Sequence, residues 1–155
     1  MKGNERVIAV LNELLADELT AINQYMVHSE MCANWRYDKL HKAAEARAIT
    51  EMKHAEKLIG RILFLEGLPI VSKLNDIHIG ADVPKQLKND WEAEKTAITA
   101  YNAAVRQAVE LGDNGSRALL ESILQDEENH IDWLEAQLDQ IEQMGYQNYL
   151  TEQLS

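Results

Sequence analysis

The chain carries Glu-x-x-His twice, as EMKH at 51–54 and EENH at 127–130. Each copy begins 33 residues after a lone glutamate, Glu18 in one case and Glu94 in the other. Tyr25 follows Glu18 by seven residues, and Tyr101 follows Glu94 by seven. A duplication with this spacing describes two similar helical hairpins related by a pseudo-twofold axis. Glutamate and histidine at i and i+3 lie about 60° apart around a helix, so both can face one metal ion. One such motif is a weak signal, because surface polarity produces it readily. Two copies, each at the same distance from a preceding carboxylate, are a much narrower pattern.

The surrounding sequence supplies the helices. Val7, Leu11, Leu14, Ala21 and Tyr25 recur at helical spacing and predict a first helix over 4–35. Leu40, Ala44, Leu58, Ile62 and Leu65 predict a second over 38–66, with Asp38 as N-cap and Gly67 as its stop. A third is expected over 84–111, with Pro84 in its first turn. After GDNGS, Ser116 is a candidate N-cap for a fourth helix ending near Met144, and YQNYLTEQLS can form a short fifth. Short joints make helices one and two antiparallel neighbours, and likewise three and four. The stretch GLPIVSKLNDIHIGADVP holds both prolines and is irregular. Extended, it reaches ~55 Å, against ~40–45 Å for helices of this length. It can run the whole bundle and bring helix three in parallel to helix two. The expected fold is therefore all-α, one domain over 1–155: a four-helix bundle with a long crossover between helices two and three, plus a short C-terminal helix.

Charged residues interrupt the apolar stripes. Glu18 falls within Leu11, Leu14, Ala21 and Tyr25, and Glu94 within Leu87, Trp91, Ile98, Tyr101 and Val105. Glu51 and His54 fall on the stripe of Ala44 and Leu58, and Glu127 and His130 between Ile123 and Leu134. Six ionisable groups thus point into one core. An unpaired buried carboxylate costs several kcal/mol or neutralises, so four of them call for a cation. Two single glutamates plus two Glu-x-x-His motifs are the carboxylate pattern of di-metal four-helix bundles. Four carboxylates and two imidazoles suit an iron or manganese pair, not a soft thiolate metal. Tyr25 and Tyr101 have two readings, as core aromatics or as hydrogen-bond donors that orient ligands.

With 15 basic and 26 acidic side chains the formal charge is -11. That sign disfavours nucleic-acid backbones and anionic membranes and favours cations. Cys32 is the only cysteine, which excludes a disulfide framework and Cys-x-x-Cys zinc sites. The start MKGNERVIAV lacks the apolar core of a signal peptide, and no run is long enough to span a membrane. A cytoplasmic location is expected.

Met52 lies ~100° from Glu51 and ~160° from His54 around the helix, so it faces elsewhere. It shares a second stripe with Ile49, Ile59 and Leu63, and helix one has a second stripe of Leu15, Leu19, Ile22 and Met26. A helix in a lone four-helix bundle needs one apolar face; two imply a further interface. Met52 either packs there or ligates an iron porphyrin through its thioether.

The segments MKG, NELLADELTAINQY, EMKHAEKLIGRILFLEGLP, DEENHIDWLEAQLDQI and MGYQNYL together resemble the bacterioferritin family over essentially the whole chain. The resemblance implies a ferritin-like bundle that assembles into a hollow shell of 24 subunits. It implies a ferroxidase that oxidises ferrous iron with oxygen or hydrogen peroxide and stores ferric mineral inside. It implies two irons per subunit, held by Glu18, Glu51, His54, Glu94, Glu127 and His130. It also implies haem b or a related iron porphyrin at twofold interfaces, with Met52 of each partner as ligand, and a small ferredoxin-type electron donor. One stretch departs from the family. Where well-known members have a segment like YHESID, this chain has EARAIT. Ala46 and Thr50 replace a histidine and an aspartate that help iron on the inner surface, Glu45 replaces an aromatic near the haem, and Arg47 lies near the ligand face. His28, His41 and His78 lack carboxylates at ligand spacing, and are expected at the surface or in packing roles, as are Cys32, Trp35, Trp91 and Trp133 in packing roles. Two rival readings are a small di-metal enzyme acting on an organic substrate or peroxide, and a non-catalytic subunit stabilised by its ligands.

Overall fold

The computed structural model describes residues 1–155. It contains five helices: α1 (Glu5–Asn34), α2 (Asp38–Phe64), α3 (Val83–Glu110), α4 (Asn114–Met144) and α5 (Tyr146–Thr151). The two hairpins α1–α2 and α3–α4 pack most extensively, and α2 and α4 barely meet. No helix is long and apolar enough to cross a membrane.

The helix ends differ in detail from the sequence expectation. α2 has no side-chain cap; Tyr37 is its N-cap and Asp38 sits inside its first turn. At its other end Glu66 takes the left-handed conformation (φ 62°), and the Gly67 amide closes back onto the Ile62 carbonyl at 2.8 Å. The N-cap of α4 is Asp113, not Ser116. One Asp113 carboxylate accepts both the amide of Ser116 at 2.9 Å and its hydroxyl at 2.6 Å, which leaves the serine inside the first turn.

The crossover, residues 65–82, is pinned along α1 in chain order. Asn12 accepts the Ile70 amide at 2.8 Å, and Thr20 accepts that of Asn75 at 2.8 Å. Gln24 accepts the His78 amide at 3.1 Å, and His28 that of Gly80 at 3.0 Å. It therefore climbs the length of the bundle, and α3 returns parallel to α2. Polar side chains of α1 supply the partners that an irregular backbone needs. At Gly80 the chain passes so close to α3 that a Cβ would lie 2.2 Å from the Gln86 amide nitrogen, so only glycine fits.

Two apolar clusters fill the bundle. The larger includes Leu11, Leu14, Leu58, Ile62, Leu120 and Ile123. The smaller joins Cys32, Leu40, Val83, Leu87 and Leu134 at the other end, plugged by Tyr149 of α5. Each fully buried leucine or isoleucine contributes roughly 1.5–3 kcal/mol. The polar residues of the repeated motifs occupy the layer between the clusters. The second stripe of α1 is largely internal: Leu15 is fully buried, Leu19 and Ile22 pack on the larger cluster, and only Met26 is exposed. On α2 the second stripe remains at the surface at Ile49, Met52 and Leu63, but Ile59 packs on the larger cluster.

Candidate metal centre

Each of the four long helices delivers one glutamate to the middle of the bundle. Glu18, Glu51, Glu94 and Glu127 are all buried, as is His54, while His130 is 10 % exposed at the edge. The internal repeat governs the layout. Glu18 and Glu94, Tyr25 and Tyr101, Glu51 and Glu127, and His54 and His130 are all separated by 76 residues. The tyrosines cross between the halves. The Tyr25 hydroxyl donates to Glu94 at 2.6 Å, and the Tyr101 hydroxyl donates to Glu18 at 2.5 Å. Both rings are fully buried, so each fills the core and orients a carboxylate.

One half is a concave set of donors. Single ligand atoms from Glu18, Glu51, His54 and Glu127 all lie within 4.8 Å of one another. His54 Nδ1 stands 3.6 Å from Glu18, 3.6 Å from Glu51 and 3.4 Å from Glu127. His54 Nδ1, Glu18 Oε2 and Glu127 Oε1 are buried without hydrogen-bond partners. Converging, unpartnered and hard or borderline donors fit a divalent first-row metal ion. Asp126, next to Glu127 in sequence, holds His54 from behind through Nε2 at 2.8 Å. The only sequence signal for Asp126 is that it directly precedes the second Glu-x-x-His.

The other half is built differently. His130 Nδ1 lies 3.0 Å from Glu94, and the His130 ring stacks on Trp133 at 5.9 Å. Among the carboxylates sits Arg47, one helical turn before Glu51. Its Nη2 is 2.5 Å from Glu51, 2.7 Å from Glu127 and 3.6 Å from Glu94. Arg47 is buried, and its Nε has no acceptor.

These neighbours set the charges. Burial and the adjacent Glu51 push Glu18 well above the ordinary carboxylate range, and the same two causes raise Glu127. Burial also opposes ionisation of Glu94, but Glu127, His130 and Arg47 outweigh it and bring that carboxyl down to about 2. Glu51 is likewise held low against burial by Glu18, His54 and Arg47. Burial disfavours a charged His54, yet Glu127, Glu18 and Glu51 raise it to about 12. Arg47 stays charged for the same reason: Glu51, Glu94 and Glu127 outweigh its desolvation.

Two clefts reach this layer. One, of about 600 Å³, includes Glu18, Glu51, Glu94 and Glu127 in its lining, with Asp17 and Asp76 nearby. The other, of about 500 Å³, opens between α2 and α4 and includes Arg47, Thr50, His54, Asp126 and His130. The remaining candidates lie elsewhere. Met52 is exposed on the far side of α2. His28 is buried, 3.0 Å from Asp90, which also accepts from Gln24 at 2.8 Å; this group fastens the crossover. His41 contacts Ser29 at 2.9 Å.

The family model for ferritin-like domains matches residues 8–144. A bacterioferritin from Rhodobacter capsulatus is 41 % identical over 96 % of this chain and 92 % of its own length. One from Brucella melitensis is 40 % identical over the same shares. A Mycobacterium leprae bacterioferritin is 38 % identical over 96 % of this chain and 94 % of its own. A crossover bundle with four glutamates at its centre and near-complete coverage at this identity places the chain in the bacterioferritin family.

Proposed function

We propose that the chain stores iron, oxidising ferrous ions at the centre within its own bundle and retaining the ferric product inside a closed shell of 24 copies. The observation that carries this is the buried cluster of unpartnered carboxylate and imidazole atoms at the floor of an acidic cleft. Ferrous iron is the substrate. Glu18, Glu51, His54, Glu94, Glu127 and His130 are its ligands, up to two ions per subunit. Each ion gives one electron to oxygen or hydrogen peroxide, and the carboxylate oxygens, being hard donors, favour the ferric product. Asp17 and Asp76 at the cleft, with a chain charge of -11, draw cations inward.

Met52 is the proposed haem ligand, paired with the same residue of a second copy across the exposed α2 face of Ile49 and Leu63. Two thioethers favour ferrous haem, which would relay electrons from a small ferredoxin-type donor to stored ferric mineral. The proposed location is the cytoplasm.

The test is an aerobic ferrous titration of the purified assembly with absorption recorded throughout, beside Glu94→Ala. Fast oxidation that the variant loses supports the reading. Equal rates in both proteins would overturn the site, and native mass showing only small oligomers would overturn the shell.

A further inference from the structure

We propose that Arg47 is a built-in counter-cation occupying the second half of the centre. On this view the chain binds one metal ion tightly, at Glu18, Glu51, His54 and Glu127, and a second only when the guanidinium swings away. This rests on the reading of the centre as a metal site. The Arg47 Nη2 touches Glu51 and Glu127 and lies 3.6 Å from Glu94. Those are the carboxylates that His130 would share with a second ion. A single positive charge already stands among them, so a divalent ion must displace it and separate a buried ion pair.

A second observation points the same way. Asp126 fixes His54 in the first half. The internal repeat places Thr50 at the corresponding position for His130, 76 residues earlier. Thr50 instead turns its hydroxyl back to the Ala46 carbonyl at 3.1 Å. The second half therefore has both an added cation and no acid behind its histidine. Displacement is open rather than forbidden. Arg47 Nε lacks an acceptor, and Arg47 lines the α2–α4 cleft, about 500 Å³ of space into which the guanidinium can turn, beside the half-exposed Asp126 that also holds His54.

The experiment is anaerobic titration of the metal-free assembly with cobalt(II) chloride at pH 7, followed by visible absorption and calorimetry. The parent is compared with Arg47→Gln and Arg47→Leu; the first keeps a polar group among the carboxylates if the second fails to fold. The expected result is one tight ion per chain in the parent and two in either variant, the second strengthened roughly 10- to 100-fold. Two equally tight ions in the parent would overturn the proposal while leaving the metal-site reading intact. One ion in both parent and variants would also overturn it, because Arg47 would not be the obstacle. No binding in any of them would sink the metal-site reading and the proposal with it.

Discussion

Asp126 grips His54 at Nε2 from 2.8 Å, and this leaves Nδ1 turned toward the carboxylates of Glu18, Glu51 and Glu127. A carboxylate behind a ligating imidazole fixes its tautomer and raises its basicity. Such contacts are worth about 10- to 100-fold in metal affinity. Asp126→Ala should weaken the first cobalt(II) ion by that factor, and Asp126→Asn by less, because the amide still offers an acceptor. Unchanged affinity in Asp126→Ala would show that packing alone orients the ring.

Tyr101 and Tyr25 make equivalent contacts across the pseudo-twofold, at 2.5 Å to Glu18 and 2.6 Å to Glu94. With phenylalanine at 25 the Glu94 oxygen keeps His130 Nδ1 at 3.0 Å. Phenylalanine at 101 preserves the ring but leaves the buried Glu18 Oε1 without its donor. That costs about 1–3 kcal/mol. Urea unfolding of metal-free Tyr101→Phe should show a loss in this range. Added metal ion should return part of it, since the freed oxygen can ligate. A variant as stable as the parent would mean that the hydroxyl only fills space.

The repeated spacing made the fold and the carboxylate layer legible, because polar residues recurring at one period on apolar stripes must meet in one buried layer. The crossover was legible from its length. Its fastening was not: His28 and Asp90 lie 62 residues apart and form a pair only after α1 and α3 are docked. Arg47 was visible as a departure near the ligand face, yet its reach into the centre depends on a side-chain path that helical phase does not specify. Asp113 competes with Ser116 for the N-cap because both residue types suit the role. Of the second stripe of α2, Ile49, Met52 and Leu63 lie off the core as helical phase implies, while Ile59 packs against the larger cluster. That of α1 is mostly internal, since Leu15 belongs to the larger cluster and Leu19 and Ile22 pack on it.

Met52 gives a test of the haem proposal that leaves iron oxidation untouched. Its side chain is 44 % exposed, on the face of α2 away from Glu51 and His54. Leucine conserves apolar character and most of the volume. Met52→Leu should therefore assemble and oxidise ferrous iron like the parent but fail to take up haem. The measurement is Soret absorbance relative to protein after reconstitution with excess haem. A ratio equal to the parent's would exclude this residue as the ligand.

Asp113 links stability to pH far from the metal centre. It caps α4 through Ser116 and receives the Arg61 guanidinium at 2.8 Å. Burial opposes its ionisation, but the Ser116 and Arg61 contacts together outweigh that and hold its pKa below the ordinary value. A carboxyl lowered in the folded state contributes its stability in full above the unfolded pKa of about 3.9, and loses it as pH falls through the folded value. Replacing an aspartate N-cap by alanine costs about 1 kcal/mol, within a range of roughly 0.5–2. Asp113→Ala should thus lie below the parent by that amount in thermal or urea unfolding at pH 6, with the gap narrowing steadily below pH ~4. The metal-free assembly is the sample to use, so that ligand protonation enters parent and variant alike. A gap that stayed constant down to pH 3 would mean that the cap works through shape and not through its charge.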